Sequence, residues 1–442
     1  MTGLIVGNSR TAEMVGDLAA LTPEQRRQGG YAAQRVLWFA RDGDVVVLPW
    51  LPPEEYLGYV TTLTGTRVGS LALVVPPPGR LGGDILTPDR LADEGFRDDL
   101  HAVLRGRAVA SVLAVYKDPS VVDLAQAVGA EAALPGYRFS AQGGDALVNS
   151  KAAFRAVAAG AAVATAEGVV VTRSSEAQDA ITALLEGGHS VIVKQEFQGG
   201  GFGNEILSST NGVAPAGAPR VVVLPERQSV ARYLARRWDW LTGGQAQRLV
   251  VERYFPDSRT IYAEFVVTAS GADLLGVGEI LMDPVAVGEI VPPPSLASDV
   301  EGRLIAGGRQ LCESFRVLGY RGNLSADAIL TPAGDVLFTE TNGRITGSTH
   351  LHTVVRDRII GADYRKKRII VERAGWPVLS FSAAVARLAA AGLGYDPVHR
   401  TGVMLTSDRM PDDGTLTYCV VAEDLESAQD QEHRVAALFA SD

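Results

Sequence analysis

This 442-residue chain predicts an α/β protein, on three observations. From residue 112 onward, short apolar runs of strand length alternate with longer stretches of helical periodicity. The apolar run 190–194 ends in Lys194 and passes directly into QEFQGGGFGNE. Residues 323–347, NLSADAILTPAGDVLFTETNGRITG, read as a β-hairpin with acids on one face.

Composition sets the outer limits. Apolar residues make up 46% and charged residues 21%, ordinary for a globular chain that buries a sizeable core. A net charge of −10 argues against nonspecific nucleic-acid binding, which needs a basic face. Cys312 and Cys419 are far apart and lack metal-ligand spacing, so neither a disulfide framework nor a zinc site is expected. No apolar run approaches 18 residues and the first residues lack signal-peptide character, so a cytoplasmic location is expected. Of 41 basic residues only five are lysine: 117, 151, 194, 366 and 367. A lysine kept in an apolar segment of so arginine-rich a chain is a candidate for holding a phosphate as a compact point charge.

In chain order, residues 4–6 form a strand ending at Gly7-Asn8, followed by a helix over 11–20. Residues 35–40 and 44–48 read as strands around Asp42-Gly43, and 70–75 as a strand stopped by three prolines. No GxGxxG follows the first strand, so no dinucleotide site is expected there. Next come a strand at 112–116, a helix at 120–128 and a loop to Asn149. Asn149-Ser150 caps a helix opened by Lys151 and ending at Gly160. A strand at 168–172 and a helix at 175–185 lead to Lys194 and its glycine loop, a phosphate-handling arrangement. It is not a Walker A loop, because no Gly-Lys-Ser/Thr follows, nor a kinase loop, because HRD and DFG are absent. Residues 208–220 are polar and rich in Gly and Pro, the composition of a mobile loop. Strands follow at 248–255, 261–268 and 274–281, then a helix at 300–318 and the hairpin. A helix at 348–360 and an α-β-β-α tail (381–391, 402–406, 415–421, 423–439) complete the chain.

If the hairpin turns at 332–335, Asp327 lies across from Glu340 and Ser325 across from Asn342, on one face. Two carboxylates about 5 Å apart repel by about 3 kcal/mol at an effective dielectric near 20. A cation between them removes that cost, and hard oxygen ligands suit Mg²⁺ shared with substrate phosphates.

Lys151 before its helix, Lys194 with its glycine loop, the strand VVERYF and the block Asp327-x12-Glu340-x-Asn342-x-Arg344 together resemble the ATP-grasp ligases. Their order and the four-element tail are most similar to the pheganomycin-type peptide-ligase branch. The resemblance implies two α/β lobes clamping ATP (118–378, with a flexible glycine loop at 198–220), an N-terminal α/β domain (1–117) and a C-terminal lobe (379–442). It implies that Lys151 and Lys194 hold the ATP phosphates while Gly199, Gly200, Gly201 and Gly203 close over them. Arg253 and Phe255 would offer backbone carbonyl and N–H to adenine beside Glu252, with Asp257 at the ribose. Asp327, Glu340 and Asn342 would hold two Mg²⁺, and Arg344 would stabilise an acyl phosphate and the tetrahedral intermediate. Two departures stand out: Asp257-Ser258-Arg259 replaces the usual ribose-binding acid, and Ser325 stands where some dipeptide ligases have arginine.

The implied reaction is ADP-forming peptide-bond synthesis, joining a nonproteinogenic amino acid to the N-terminal amine of a peptide in a peptide natural-product pathway. Rival readings are ligation of free amino acids, biotin carboxylase-like chemistry and a noncatalytic ATP-binding scaffold. Expected partners are a small carboxylate donor and an amine or peptide acceptor, with a homodimer allowed and nucleic acid and membrane excluded.

Overall fold

The structure, a computed structural model, describes residues 2–244, 246–364 and 366–440. Its first sheet holds β1 (Thr2–Val6), β2 (Val45–Val47), β3 (Ala72–Val74) and β4 (Val109–Ala114) in the order β3-β2-β1-β4. All three pairings are parallel. The inner strands of a parallel sheet are covered on both faces, which is why TGLIV and VVV are unbroken buried runs. Strand order reverses between β1 and β4, and such a switch point opens a crevice beyond the carboxyl ends of the strands. Asn8, fully buried, ties the two loops there: its amide nitrogen donates to the Tyr116 carbonyl (2.6 Å) and its amide oxygen accepts from the Tyr116 N–H (3.1 Å).

Two expectations for this region are corrected. Residues 35–40 do not form a strand but belong to a 3₁₀ helix, Gln34–Phe39, continuing the helix Pro23–Ala33. The run Val36-Leu37-Trp38 is buried on every side, so its apolarity carries no period to separate strand from helix. Trp38 is held from outside the domain, donating through Nε1 to the Thr406 carbonyl at 3.0 Å. The helix expected over 11–20 is broken into Ala12–Val15 and Leu18–Ala20, because Gly16 takes φ 78°.

The second sheet contains β5 (Gly168–Val171), β6 (Ser190–Gln195), β7 (Asn204–Ser208), β8 (Val221–Val223) and β9 (Leu249–Tyr254) in the order β5-β9-β6-β7-β8. Helices Ser174–Glu186 and Arg227–Leu241 pack against each other and share one core with this sheet. The segment 208–220 is pinned at several points: Asn204 Nδ2 donates to the Gly217 carbonyl at 2.8 Å, and Tyr254 Oη to the Ala214 carbonyl at 3.1 Å.

The third sheet holds β10 (Arg259–Val267), β11 (Ala272–Met282), β12 (Ala286–Val291), β13 (Gly322–Leu330), β14 (Val336–Asn342), β15 (Ile369–Pro377), β16 (Gly402–Arg409) and β17 (Thr415–Ala422). Its order is β14-β13-β10-β11-β12-β15-β17-β16, with every pairing antiparallel. The tail is α-β-β-α as expected, with helices Phe381–Ala390 and Leu425–Phe439 around β16 and β17, and its two strands extend this same sheet. The helix Ser298–Leu318 packs on β10 through Leu304, Leu311 and Phe315, which lie along one face.

The β13–β14 hairpin pairs Asp327 with Glu340 and Ser325 with Asn342, as expected. Nearer the turn the register differs by one: Leu330, not Thr331, faces Val336. A bulge absorbs the difference, with Thr339 as the extra residue between Phe338 and Glu340. The helical segment after the hairpin, Leu351–Ile360, is a π-helix.

Arg90 holds the loops beyond β2 and β3. It is 1% exposed, and its five N–H groups all reach carbonyl oxygens: Nε to Pro77, Nη1 to Gly83 and Ile85, Nη2 to Pro49 and Pro76, at 2.6–2.8 Å. Replacing Arg90 with Met keeps the apolar stem but strands five carbonyls, and the expected loss is more than about 3 kcal/mol. Lysine, with three donors on one nitrogen, should rescue little of it. Urea midpoints of the two variants check this; a Lys variant as stable as the parent contradicts it.

Candidate active site

The three sheets meet around one cavity of about 520 Å³. Its acid face is the hairpin. Ser325 Oγ donates to Asp327 Oδ1 (2.6 Å), Asn342 Nδ2 donates to Asp327 Oδ2 (2.9 Å), and Arg344 Nη2 donates to Asn342 Oδ1 (2.8 Å). Glu340 instead meets a cation, with Lys151 Nζ 3.0 Å from its Oε2. The two facing acids therefore titrate apart. Burial and the neighbouring Glu340 push Asp327 up to about 7. Burial also works to raise Glu340, but Lys151 and Lys194 outweigh it and hold that carboxyl below its ordinary value.

Lys151 begins the helix Lys151–Gly160, whose N-cap is Ser150: its Oγ accepts from Ala153 N–H at 3.0 Å. Ser150 Oγ also donates to Glu196, which takes Arg248 as its counter-ion. Lys151 Nζ donates to the Gln198 carbonyl at 2.6 Å, at the root of the glycine loop. Lys194, buried at the end of β6, pairs with Glu252 at 2.5 Å, and Arg155 meets the other oxygen of the same acid. Both lysines thus face the cavity with a carboxylate apiece, and phosphate oxygens are a natural substitute for those carboxylates.

Gly199, Gly200 and Gly201 line the cavity, with φ of 64° at Gly200 and 82° at Gly201. Gly203 does not line it; a Cβ there would lie 2.5 Å from the Gln198 side chain, so its smallness serves packing. At the opposite wall lie Arg253, Tyr254 and Phe255 from the end of β9, with Ile192, Ile280, Met282 and Ile329. These apolar side chains suit a planar base. The Arg253 N–H donates to the Glu167 carbonyl at 2.8 Å.

Asp257 sits exposed at φ 58° in the turn after β9 and is not among the residues lining the cavity. The next residue is: Ser258 lines the cavity, and its Oγ is buried with no hydrogen-bond partner. Sequence reasoning also missed Ser9, Arg10, Arg35, Tyr116, Tyr262, Glu289 and Ser348, which wall the end of the cavity beyond Arg344. They come from separate stretches of chain, and no motif links them.

The donor set fits a hard divalent ion. Among the described residues no cluster of three His, Cys, Asp or Glu side chains gathers. The protein would contribute Asp327, Glu340 and the Asn342 amide, leaving the remaining positions to phosphate and water, as Mg²⁺ prefers. Like charges facing each other in a buried hairpin are the physical reason for a cation there.

Comparison with known proteins bears on the architecture. A Pre ATP-grasp domain model matches residues 33–130, and a PGM1 C-terminal domain model matches residues 383–435. N5-carboxyaminoimidazole ribonucleotide synthetase from Thermus thermophilus superposes with a TM-score of 0.58 at 13% identity, covering 100% of this chain and 99% of that one. The biotin carboxylase domain of Hydrogenobacter thermophilus 2-oxoglutarate carboxylase gives 0.58 at 14% identity, over 99% and 90% of the two chains. The ADP complex of an N5-carboxyaminoimidazole ribonucleotide synthetase gives 0.57 at 13% identity, over 98% and 95%. The chain has the ATP-grasp fold. The search of curated proteins returned no match. Among the described residues no helix is long and apolar enough to cross a membrane.

The two hairpin acids should respond differently to neutralisation. Asp327→Asn relieves repulsion and should stabilise the metal-free protein by on the order of 1 kcal/mol or less. Glu340→Gln strands Lys151 and should cost about 1–3 kcal/mol. Both should abolish any stabilisation conferred by added MgADP. Calorimetric scans in EDTA and in MgADP test this, and identical behaviour of the two variants in EDTA sinks the asymmetry.

Glu289 gives a pH signature. Burial first, then Glu372, and also Glu264, push its carboxyl up to about 8, against the Tyr262 hydrogen bond and Arg35, which lower it. A carboxyl raised in the folded state stabilises at low pH, and that contribution is lost as pH climbs from about 4.3 towards 8. Glu289→Gln should flatten this decline, by at most about 1.4 kcal/mol per pH unit because a single proton is involved, and by less where solvent in the cavity screens the group. Denaturation midpoints between pH 5 and 8 that run parallel for parent and variant contradict it.

Proposed function

We propose that the chain is an ATP-dependent, ADP-forming carboxylate–amine ligase working through an acyl phosphate. The observation that carries this is the acid face ringed by fixed cations: Lys151 on Glu340, Lys194 behind it, and Arg344 anchored 2.8 Å from Asn342. Neither Cys312 nor Cys419 lines the cavity; both are buried in the core. Such a site needs no covalent nucleophile. It positions a carboxylate against the γ-phosphate and places positive charge where negative charge develops.

Lys151 and Lys194 would exchange their carboxylate partners for phosphate oxygens. Asp327, Glu340 and Asn342 would hold Mg²⁺, which when bound neutralises the triphosphate and orients its terminal group. Arg344, presenting a planar fork, would hold two oxygens of the acyl phosphate while an amine attacks. A Cβ at Gly199 would lie 3.6 Å from Arg344 Nη2, so the glycine loop already reaches this point and its closure would exclude water.

The finer reading is a peptide ligase, joining a nonproteinogenic amino acid to the amino end of a peptide in the cytoplasm. The αββα tail, and the PGM1 C-terminal domain match within it, support that branch. The fold likeness to carboxylases supports a second reading, in which bicarbonate is the activated carboxylate.

Hydroxylamine decides between them and tests the first. With amino-acid carboxylates, ATP and Mg²⁺, the parent protein should release ADP and yield hydroxamate. Arg344→Lys should bind ATP nearly normally yet lose about 2.7–4 kcal/mol of transition-state stabilisation, comparable to removing one oxyanion donor. ADP release that requires bicarbonate and gives no hydroxamate supports the carboxylase reading. ADP release without either would falsify the acyl-phosphate mechanism.

A further inference from the structure

Beyond Arg344 the cavity continues into a chamber whose walls the ATP and metal assignments leave unused. The loop after β1 supplies Ser9 and Arg10, the helix Gln34–Phe39 supplies Arg35, and the loop after β4 supplies Tyr116. The opposing wall is Tyr262 of β10, Glu289 of β12 and Thr346 to Ser348.

The charge balance of this chamber is uneven. Three guanidinium groups face it, from Arg10, Arg35 and Arg344. Among the described residues Arg10 and Arg35 make no hydrogen bond or ion pair, and Arg35 Nε is buried without an acceptor. Among the described residues the Arg344 guanidinium donates to the neutral Asn342 amide and the Ile345 carbonyl, and it interacts with Asp327, Glu340 and Glu264 through space without a direct pair. Other buried or half-buried arginines do find partners: Arg90 has five carbonyls, Arg248 has Glu196, and Arg259 has Glu279. Tyr116 adds to the imbalance: it is 1% exposed, lines the cavity, and its hydroxyl has no partner.

Against the effect of burial, Arg35 acts at a distance to lower the carboxyls of Glu289 and Glu372, but among the described residues neither acid pairs with it. Glu289 accepts from Tyr262 at 3.0 Å, Glu372 takes His350, and Glu13 lines the cavity without an ion pair. Burial, and after it the nearby Arg344, lowers the affinity of Arg10 for its proton, a mark of cations crowded together. Gly347 completes the shape. A Cβ there would meet Glu289 Oε1 at 2.7 Å and approach Arg35 Nη1 at 3.9 Å, so glycine keeps the space between them clear.

An unpaired buried guanidinium N–H is expensive, and a planar two-oxygen anion satisfies it with two parallel hydrogen bonds. We propose that Arg10 and Arg35, with the Tyr116 hydroxyl, form a subsite for a second substrate carboxylate, distinct from the one that is activated beside Arg344. The carboxylate belongs to the donor, as a dicarboxylic acid, or to the acceptor, as the free carboxyl of an amino acid or peptide. The terms donor and acceptor rest on the ligase reading above; the charge imbalance does not.

Calorimetry on the full chain with MgADP present reads the subsite without chemistry. Glutarate and tricarballylate should bind, and glutaramide should not. Arg10→Gln and Arg35→Gln should each weaken tricarballylate at least tenfold while leaving MgADP affinity unchanged, which also shows that each variant is folded. No binding of either acid to the parent at tens of millimolar, or equal binding of glutarate and glutaramide, overturns the proposal. Turnover then assigns the source. A KM raised tenfold when glycylglycinamide replaces glycylglycine places the carboxylate on the acceptor. A similar rise when monomethyl glutarate replaces glutarate places it on the donor. Unchanged KM in both comparisons overturns the subsite in the working enzyme. If no carboxylate drives ADP release, the ligase reading falls and the calorimetry still decides the subsite.

Discussion

Glu340 is drawn towards Lys151 and pushed by Asp327, and the rest of the site is arranged around that unequal pull. The cross-strand pairing in β13–β14 fixes both acids on one face, where neither can turn away. The lysines claim Glu340, so the unfavourable charge collects on Asp327, which Ser325 and Asn342 can steady only with hydrogen bonds. A face in that condition gains from any bound cation. The surrounding elements supply the counterpart anions' partners: a capped helix start at Lys151, a buried strand end at Lys194, and Arg344 just past the hairpin.

The hairpin was legible in the sequence because period-two alternation and an acid at each strand suffice to predict who faces whom. Even so, that pairing survived a one-residue error at the turn only because Thr339 bulges. Lys194 and its glycines were legible as a local motif, and Ser150 as a cap. Arg35 was not, since its neighbours Val36, Leu37 and Trp38 are buried all round and show neither strand nor helix period. Asp257 is singled out by its acid chemistry, which carries no information on direction; the left-handed turn leaves it outside the cavity lining while the adjacent Ser258 is part of it. Arg10, Tyr116 and Glu289 meet only through the topology of two sheets, which no local pattern announces.

The first sheet is joined to the rest of the fold by buried polar links rather than by apolar contact alone. Asn8 clasps the two loops at the switch point, and Lys117 reaches from there to Asp145 at 3.1 Å and lies 4.4 Å over the Tyr320 ring. Lys117, one of the five lysines, is therefore structural. Its Nζ also donates to the Arg321 carbonyl, so the loop after β4 is tied to the residues just ahead of β13.

The third sheet runs without interruption from β14 to β16, so β15 owes one of its edges to a strand from the tail. Ile369, Ile370 and Val371 are buried there against Val420, Val421 and Ala422. Cutting the chain ahead of residue 379 would turn β15 into an open apolar edge, a template for pairing between molecules. The tail is thus no removable appendage: shuffling it between relatives, or truncating it in a minimal version, exchanges a satisfied strand pairing for an edge that invites fibril-like association.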